Sequence, residues 1–151
     1  MYIDKLFNLK GKVSAVIGAG GHLCSEMVKS FARAGCKVVI IDLRLQKAKK
    51  VEEEIKKEGF KDTISLALDV SKKEDHYEVL KKIINKFGRL DILINGAGTN
   101  GSTPFLEIKK DEWDGIMDSQ IKGTFYGCQV FGEYMLTNKK GSIINISSAS
   151  A

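Results

Sequence analysis

The sequence contains one proline and three cysteines, and no apolar run approaches the ~20 residues of a membrane-spanning helix. With no proline-rich stretch, low-complexity tract or repeat of solenoid period, it offers no linker at which to divide. Cys24, Cys36 and Cys128 form neither a close pair nor a metal-ligand spacing, so three reduced thiols, no disulfide and no metal site are expected. The opening stretch MYIDKLFNLKGK lacks the apolar core of a signal peptide, which points to a cytoplasmic protein with no membrane partner.

What is present suffices for one ordinary domain. The 151 residues are 43% hydrophobic and 28% charged, a composition that argues against intrinsic disorder. A domain of this size buries roughly 68–70% of its unfolded surface and needs no covalent staple. The net charge of +5 comes from 24 basic against 19 acidic residues. Lysines alternate with glutamates in stretches such as LQKAKKVEEEIKKEG, which reads as a solvated helix face and not as a nucleic-acid surface.

Five short apolar runs punctuate the chain: VSAVI (13–17), KVVIID (37–42), ISLALD (64–69), LDILI (90–94) and SIINIS (142–147). Rich in valine, isoleucine and leucine and without strict alternation, they predict parallel strands buried on both faces. Amphipathic stretches lie between them. The first, about Gly21 to Ala34, places Leu23, Met27, Phe31 and Ala34 on one face before Gly35. The second, about 45–58, buries Leu45, Ala48, Val51 and Ile55. The third starts with Ser71 as N-cap and Glu74 three residues on, a capping box, and carries Leu80, Ile83, Ile84 and Phe87 before Gly88. A long fourth helix spans about Lys110 to Leu136, with Trp113, Ile116, Met117, Ile121, Phe125, Cys128 and Phe131. The alternation predicts an α/β fold, a mostly parallel sheet with helices on both faces.

Chemistry-bearing residues gather at the carboxyl ends of these strands, where ligands bind in such sheets. After the first strand comes Gly18-Ala19-Gly20-Gly21-His22-Leu23-Cys24. Glycines there give a tight turn and let the backbone approach a pyrophosphate seated on the following helix N-terminus. Asp42 ends the second strand, 22 residues after Gly20. An acid at about that spacing accepts from a ribose 2′-hydroxyl and repels a 2′-phosphate; its other reading is a turn or helix-capping residue. Asp69-Val70 follow the third strand, Asn95-Gly96-Ala97-Gly98 the fourth, and Ser147-Ser148 the fifth.

Taken in order, NLKGKVSAVIGAGG, Asp42, Leu68 to Val70, FGRLDILINGAG, QIKGTF and GSIINISSASA resemble the first part of a short-chain dehydrogenase/reductase, from about Leu9 to Ala151. The resemblance implies a Rossmann-type three-layer fold, strand order 3-2-1-4-5, and hydride transfer between NAD(P) and an alcohol or carbonyl. It implies that Gly18, Gly20, Gly21, His22, Leu23 and Asp42 bind the cofactor and that Asp69 and Val70 contact adenine. Asn95, Gly96, Ala97 and Gly98 would lie under the nicotinamide ribose, and Ser148 would hydrogen-bond the reacting oxygen. Members are usually homo-oligomers acting on small molecules.

The departures are equally specific. Aligned on Gly18, the family's second and third glycines fall at His22 and Cys24. Cys24 is small enough for close helix–strand packing, and His22 is either a tolerated surface substitution or a phosphate contact. Gln120 stands where the family has an asparagine that holds a relay water, and it can donate the same amide bonds from one carbon further out. The GAGG-x-LC and NGAG pattern resembles a branch that acts on sugar acids, such as mannonate-type oxidoreductases, so a polyol or sugar acid is the expected substrate. The family's tyrosine base lies about a dozen residues past the serine, with a lysine four residues further on. No internal pair is expected to replace them. The chain therefore reads as an N-terminal fragment, inactive alone, with NAD preferred to NADP because of Asp42. The alternative is a non-catalytic dinucleotide-binding or assembly module. A methyltransferase of similar sheet order does not account for NGAG and NISS at successive strand ends.

Overall fold

In a computed structural model that describes residues 6–147, the five apolar runs form one parallel sheet. Its strands are β1 (Val13–Ile17), β2 (Lys37–Asp42), β3 (Thr63–Ala67), β4 (Ile92–Asn95) and β5 (Ser142–Asn145), in the order β3-β2-β1-β4-β5. This is the predicted α/β architecture and strand order. The reversal of direction falls between β1 and β4, so the crevice at their carboxyl ends is the topological switch point.

Two layers of helix cover the sheet. On one face lie α1 (His22–Arg33) and α2 (Leu45–Lys57), whose Val28, Ala32, Ala48, Val51 and Ile55 pack on Val16, Val38, Ile40 and Ile94. On the other lie α3 (Lys73–Phe87) and the last helix, whose Val79, Ile83, Phe131 and Met135 pack on Val13, Ala15, Val39, Ile41 and Leu93. Every residue of β1 is buried, which is why its sequence shows no alternation. Gly88, at φ +76°, closes α3 in the left-handed region that a residue with a β-carbon seldom adopts.

The structure corrects three expectations about the helices. In α1 the buried residues are Cys24, Ser25, Val28 and Ala32, whereas Leu23 is exposed, Met27 and Phe31 are half-buried and Ala34 is exposed. Small side chains win the sheet-facing stripe because the helix comes so close to the β-layer that larger ones do not fit. No capping box opens α3. Its N-cap is Lys72, and the Ser71 hydroxyl instead donates to Asp69 Oδ1 at 2.7 Å. The fourth stretch is not one regular helix: α4 (Lys110–Met117) and α5 (Gly123–Thr137) are joined by a π turn at Asp118–Lys122. Such a turn adds one residue to the winding and re-aims the side chains within it.

Candidate functional site

The Gly-rich turn, Asp42 and the turn after β4 converge at the switch point. Gly18 has φ +85°, and its amide and that of Ala19 both donate to the Ile41 carbonyl, at 2.8 and 2.9 Å. A β-carbon on Gly18 would lie 2.7 Å from the Gly96 carbonyl oxygen, so backbone conformation and packing both require glycine. One on Gly20 would lie 2.6 Å from Asp42 Oδ2. That contact is made instead by the Gly20 N–H, which donates to Asp42 Oδ2 at 3.0 Å while the Arg44 N–H donates to Oδ1 at 3.0 Å. Two amides thus hold the carboxylate of Asp42 at the end of β2. Cys24 is buried beneath the turn after β4, its sulfur 3.8 Å from the Gly96 carbonyl, and a β-carbon on Gly96 would strike it. The expected close packing of helix and strand is what Cys24 provides. Burial first, and then the charge of Asp42, push its thiol pKa up.

The N-terminus of α1 is open. Gly21 offers no side-chain cap, the first turn holds no acid, and among the described residues the amides of His22, Leu23 and Cys24 have no backbone acceptor. Both His22 and Leu23 are exposed there. Three free N–H groups over a glycine turn form a donor set suited to a phosphate-bearing ligand.

A cavity of about 890 Å³ opens beside this crevice. Its wall is the loop after β4, through Gly96, Ala97, Gly98, Asn100 and Gly101. The opposite side carries Ile116, Gln120, Ile121, Thr124 and Phe125, with Asn145 and Ser147 at the end of β5. Gln120 therefore does reach the site. Asn95 does not line the cavity: it is buried below, its Nδ2 donating to Asn145 Oδ1 at 2.8 Å and so tying β4 to β5. A β-carbon on Gly127 of α5 would strike the Asn95 amide oxygen, so this link sets the helix spacing as well.

Asp69 and Val70 lie further along, at the end of β3. Asp69 Oδ1 accepts from the Ser71 hydroxyl and amide, at 2.7 and 3.1 Å, and Oδ2 lies 3.2 Å from Lys72 Nζ. Ser71 foremost, aided by Lys72 and against partial burial, holds the carboxyl below its usual range. Val70 abuts Gly123, where a β-carbon would approach its Cγ2 to 2.7 Å. Ser148 lies outside the described residues. One Tyr-x-x-x-Lys spacing does occur, contrary to expectation, at Tyr77 and Lys81. It is no substitute for the family pair: Tyr77 is exposed on α3, 3.4 Å from Glu133 on α5, and among the described residues no tyrosine lines the cavity. Thr124 and Asn100 went unforeseen because an isolated threonine or asparagine carries no periodic signal. Asn145 was legible in principle, as the lone amide within an apolar strand.

The short chain dehydrogenase family matches residues 12–151. The chain belongs to that family. Among its relatives, the 3-oxoacyl-[acyl-carrier-protein] reductase FabG of Thermotoga maritima is 30% identical over 141 residues, 93% of this chain and 56% of that protein. The chain thus spans little more than half the length of this relative. Among solved structures, gox2181 superposes with a TM-score of 0.92 at 32% identity, covering 98% of this chain and 57% of that one. A protein from Haemophilus influenza provisionally assigned as a D-mannonate oxidoreductase, with bound NAD, gives 0.85 at 31%, covering 96% and 57%. A metagenomic short-chain oxidoreductase in complex with NADP gives 0.87 at 29%, covering 95% and 65%. Short-chain dehydrogenases are oxidoreductases that bind nicotinamide dinucleotides, and relatives of this member include both NAD- and NADP-bound forms. The sugar-acid branch is one neighbour among many. Among the described residues no helix is long and apolar enough to cross a membrane, and no cluster of potential metal ligands occurs.

Proposed function

We propose that these residues form the dinucleotide-binding part of an oxidoreductase that moves hydride between NAD and a small polyol or sugar acid. The observation that carries this reading is Asp42, fixed by two backbone amides at the end of β2 and facing a helix N-terminus with free donors. When bound, the dinucleotide supplies the hydride acceptor or donor. The chain's own residues bind and orient it. The amides of His22, Leu23 and Cys24 suit the pyrophosphate, with the His22 imidazole beside them, and Gly18, Gly20 and Gly21 let it approach. Asp42 accepts from a ribose hydroxyl and repels a 2′-phosphate. The Arg44 side chain, exposed two residues on, offsets part of that repulsion. Asp69 and Val70 serve the adenine end, Gly96, Ala97 and Gly98 the nicotinamide end, and the Ser148 hydroxyl holds the reacting oxygen. Asn100, Gln120, Thr124 and Asn145 give the cavity several neutral hydrogen-bonding groups, which suits a hydroxyl-rich substrate.

Titration of the chain with NADH and NADPH, followed by nicotinamide fluorescence, tests the reading. NADH should bind more tightly, and Asp42→Ala should weaken NADH by about tenfold while narrowing the preference, as loss of a charge-assisted hydrogen bond implies. Tighter binding of NADPH would overturn the cofactor assignment. Binding of neither would overturn the proposal.

A further inference from the structure

The π turn does more than interrupt a helix. In a regular α-helix consecutive side chains diverge by about 100° and cannot both grip one short segment. Within the turn at Asp118–Lys122, Ser119 and Gln120 are consecutive, and both reach the loop after β4. The Ser119 hydroxyl accepts from the Thr99 amide at 3.2 Å and lies 3.0 Å from the Thr99 hydroxyl. Gln120 Nε2 donates to the Thr99 carbonyl at 2.8 Å and to Asn100 Oδ1 at 2.9 Å. The loop is shaped to receive them: a β-carbon on Gly98 would lie 2.9 Å from Gln120 Cγ, and one on Gly101 would strike Glu112 of α4.

These contacts use both N–H bonds of the Gln120 amide. A side chain so engaged has no donor left for a water, and only its carbonyl oxygen stays free to accept. We propose that Ser119 and Gln120 clamp the loop after β4, and that Gln120 is a positioning residue for the cavity wall whose N–H bonds are closed to a relay water. The consequence for function rests on the reading that this cavity takes the nicotinamide end of the cofactor. The clamp itself does not depend on it. Gly96, Ala97, Gly98, Asn100 and Gly101 form the wall, and the pinned residues lie in its middle.

Hydrogen exchange of the amides in residues 98–101, with and without NADH, separates the possibilities. Gln120→Glu keeps the shape but turns the donor into an ionised acceptor facing two oxygens. At neutral pH it should speed exchange across the loop about tenfold relative to wild type. As pH falls through about 4.3 the acid regains one donor, and protection should partly return relative to wild type at the same pH. A merely structural side chain would give no such pH profile. Ser119→Ala should loosen Thr99 by a similar factor and shows the clamp independently should the glutamate variant fail to fold. Unchanged exchange in both variants would overturn the proposal, and so would loop release in the glutamate variant that acid does not reverse. Wild-type protection without any NADH binding would sink the cofactor reading while leaving the clamp intact.

Discussion

At the scale of single residues, the polar groups at the two ends of the sheet do opposite work. Those at the carboxyl ends, such as Asp42, are held by backbone amides of the turn and of the following loop, buried at the rim of the crevice. Asp91, at the amino end of β4, is turned inward. Its Oδ2 accepts from the Val13 N–H at 2.9 Å, Oδ1 pairs with Arg89, and Lys140 Nζ lies 3.7 Å away, with the side chain only 4% exposed. Its backbone also pairs with Val13 and with Ser142, so β1, β4 and β5 all meet there. Burial pushes the carboxyl pKa up, but Arg89, the Val13 amide and Lys140 together outweigh it and hold the pKa below the usual range. A depressed folded-state pKa stabilises above the unfolded value of about 3.9 and is lost as pH falls through the lower folded value. Asp91→Asn should therefore cost about 2 kcal/mol at pH 7, and the gap to wild type should shrink below about pH 4. Urea unfolding at both pH values checks this; a gap that persists in acid would mean that lost packing, and not charge, sets the cost.

At the scale of elements, what could be read from the sequence depended on how far each signal reached. All five strands were legible from continuous Val, Ile and Leu, which burial on both faces forces in β1, β2 and β4, as in KVVIID and DILIN; β5 carries the same pattern but is largely exposed, contrary to expectation. The face of α1 was not, because Leu23 is apolar yet exposed at the open N-terminus of the helix, while Ser25 and Cys24 are buried by close approach to the sheet. Ser71 and Glu74 have capping-box spacing, but Asp69 competes for the serine hydroxyl two residues away. The strand-end positions of the candidate site were legible from spacing alone. The grip of Thr99 and Asn100 on the π turn was not, since it depends on a winding defect with no sequence period. His76 belongs to the same hidden class. It is fully buried between α3 and α5, edge-on to Tyr126 and Phe131, with Nδ1 2.9 Å from the Lys72 carbonyl. A carbonyl can only accept, so Nδ1 carries the proton. Burial lowers the imidazole pKa, against weaker upward pulls from the Lys72 carbonyl, Asp75, the Gly123 backbone and Asp69. A folded-state pKa below the unfolded one means that the unfolded chain binds more protons as pH drops beneath about 6.5. Stability should fall, by at most about 1 kcal/mol, between pH 6.5 and 5.5. His76→Leu should flatten that slope, as denaturant unfolding across the range would register; an unaltered slope would place the titrating group elsewhere.

At the scale of the whole molecule, the described sheet ends in two edge strands, β3 and β5, and it is at the β5 edge that apolar side chains are left exposed. β5 pairs with β4 alone, and among the described residues no strand lies beyond it. The amides of Ser142 and Ile146 donate to Asp91 and Asn95 at 2.9 Å, so the alternate amides of Ile143 and Asn145 face the open side. Ile144 is 44% exposed and Ile146 37%, which leaves apolar surface on a strand with no lysine or proline within it. Grooves flank the strand on both faces. One, of about 470 Å³, is lined by Gly132, Met135, Leu136 and Ile143; the other, of about 360 Å³, by Leu9, Phe31, Ile92 and Ile144. An unpaired backbone edge between two grooves that present Met135, Leu136, Leu9 and Phe31 is a template for strand addition, although lysines also line both. Lys139 and Lys140 precede the strand and line the grooves at its start, where Lys140 Nζ lies 3.7 Å from Asp91. The 151-residue polypeptide should therefore self-associate at micromolar concentration through β5. Ile144→Lys should shift it toward monomer, because an added strand would have to bury the ammonium against Leu9 and Phe31. Leu106→Lys, an equally drastic change at a 94% exposed position before α4 and outside both grooves, should leave the association of the backbone edge largely in place. Sedimentation velocity of the three proteins decides the matter. Equal monomer fractions in wild type and Ile144→Lys would show that β5 is not the adhesive edge, and a larger shift in Leu106→Lys would transfer that role to the apolar surface before α4.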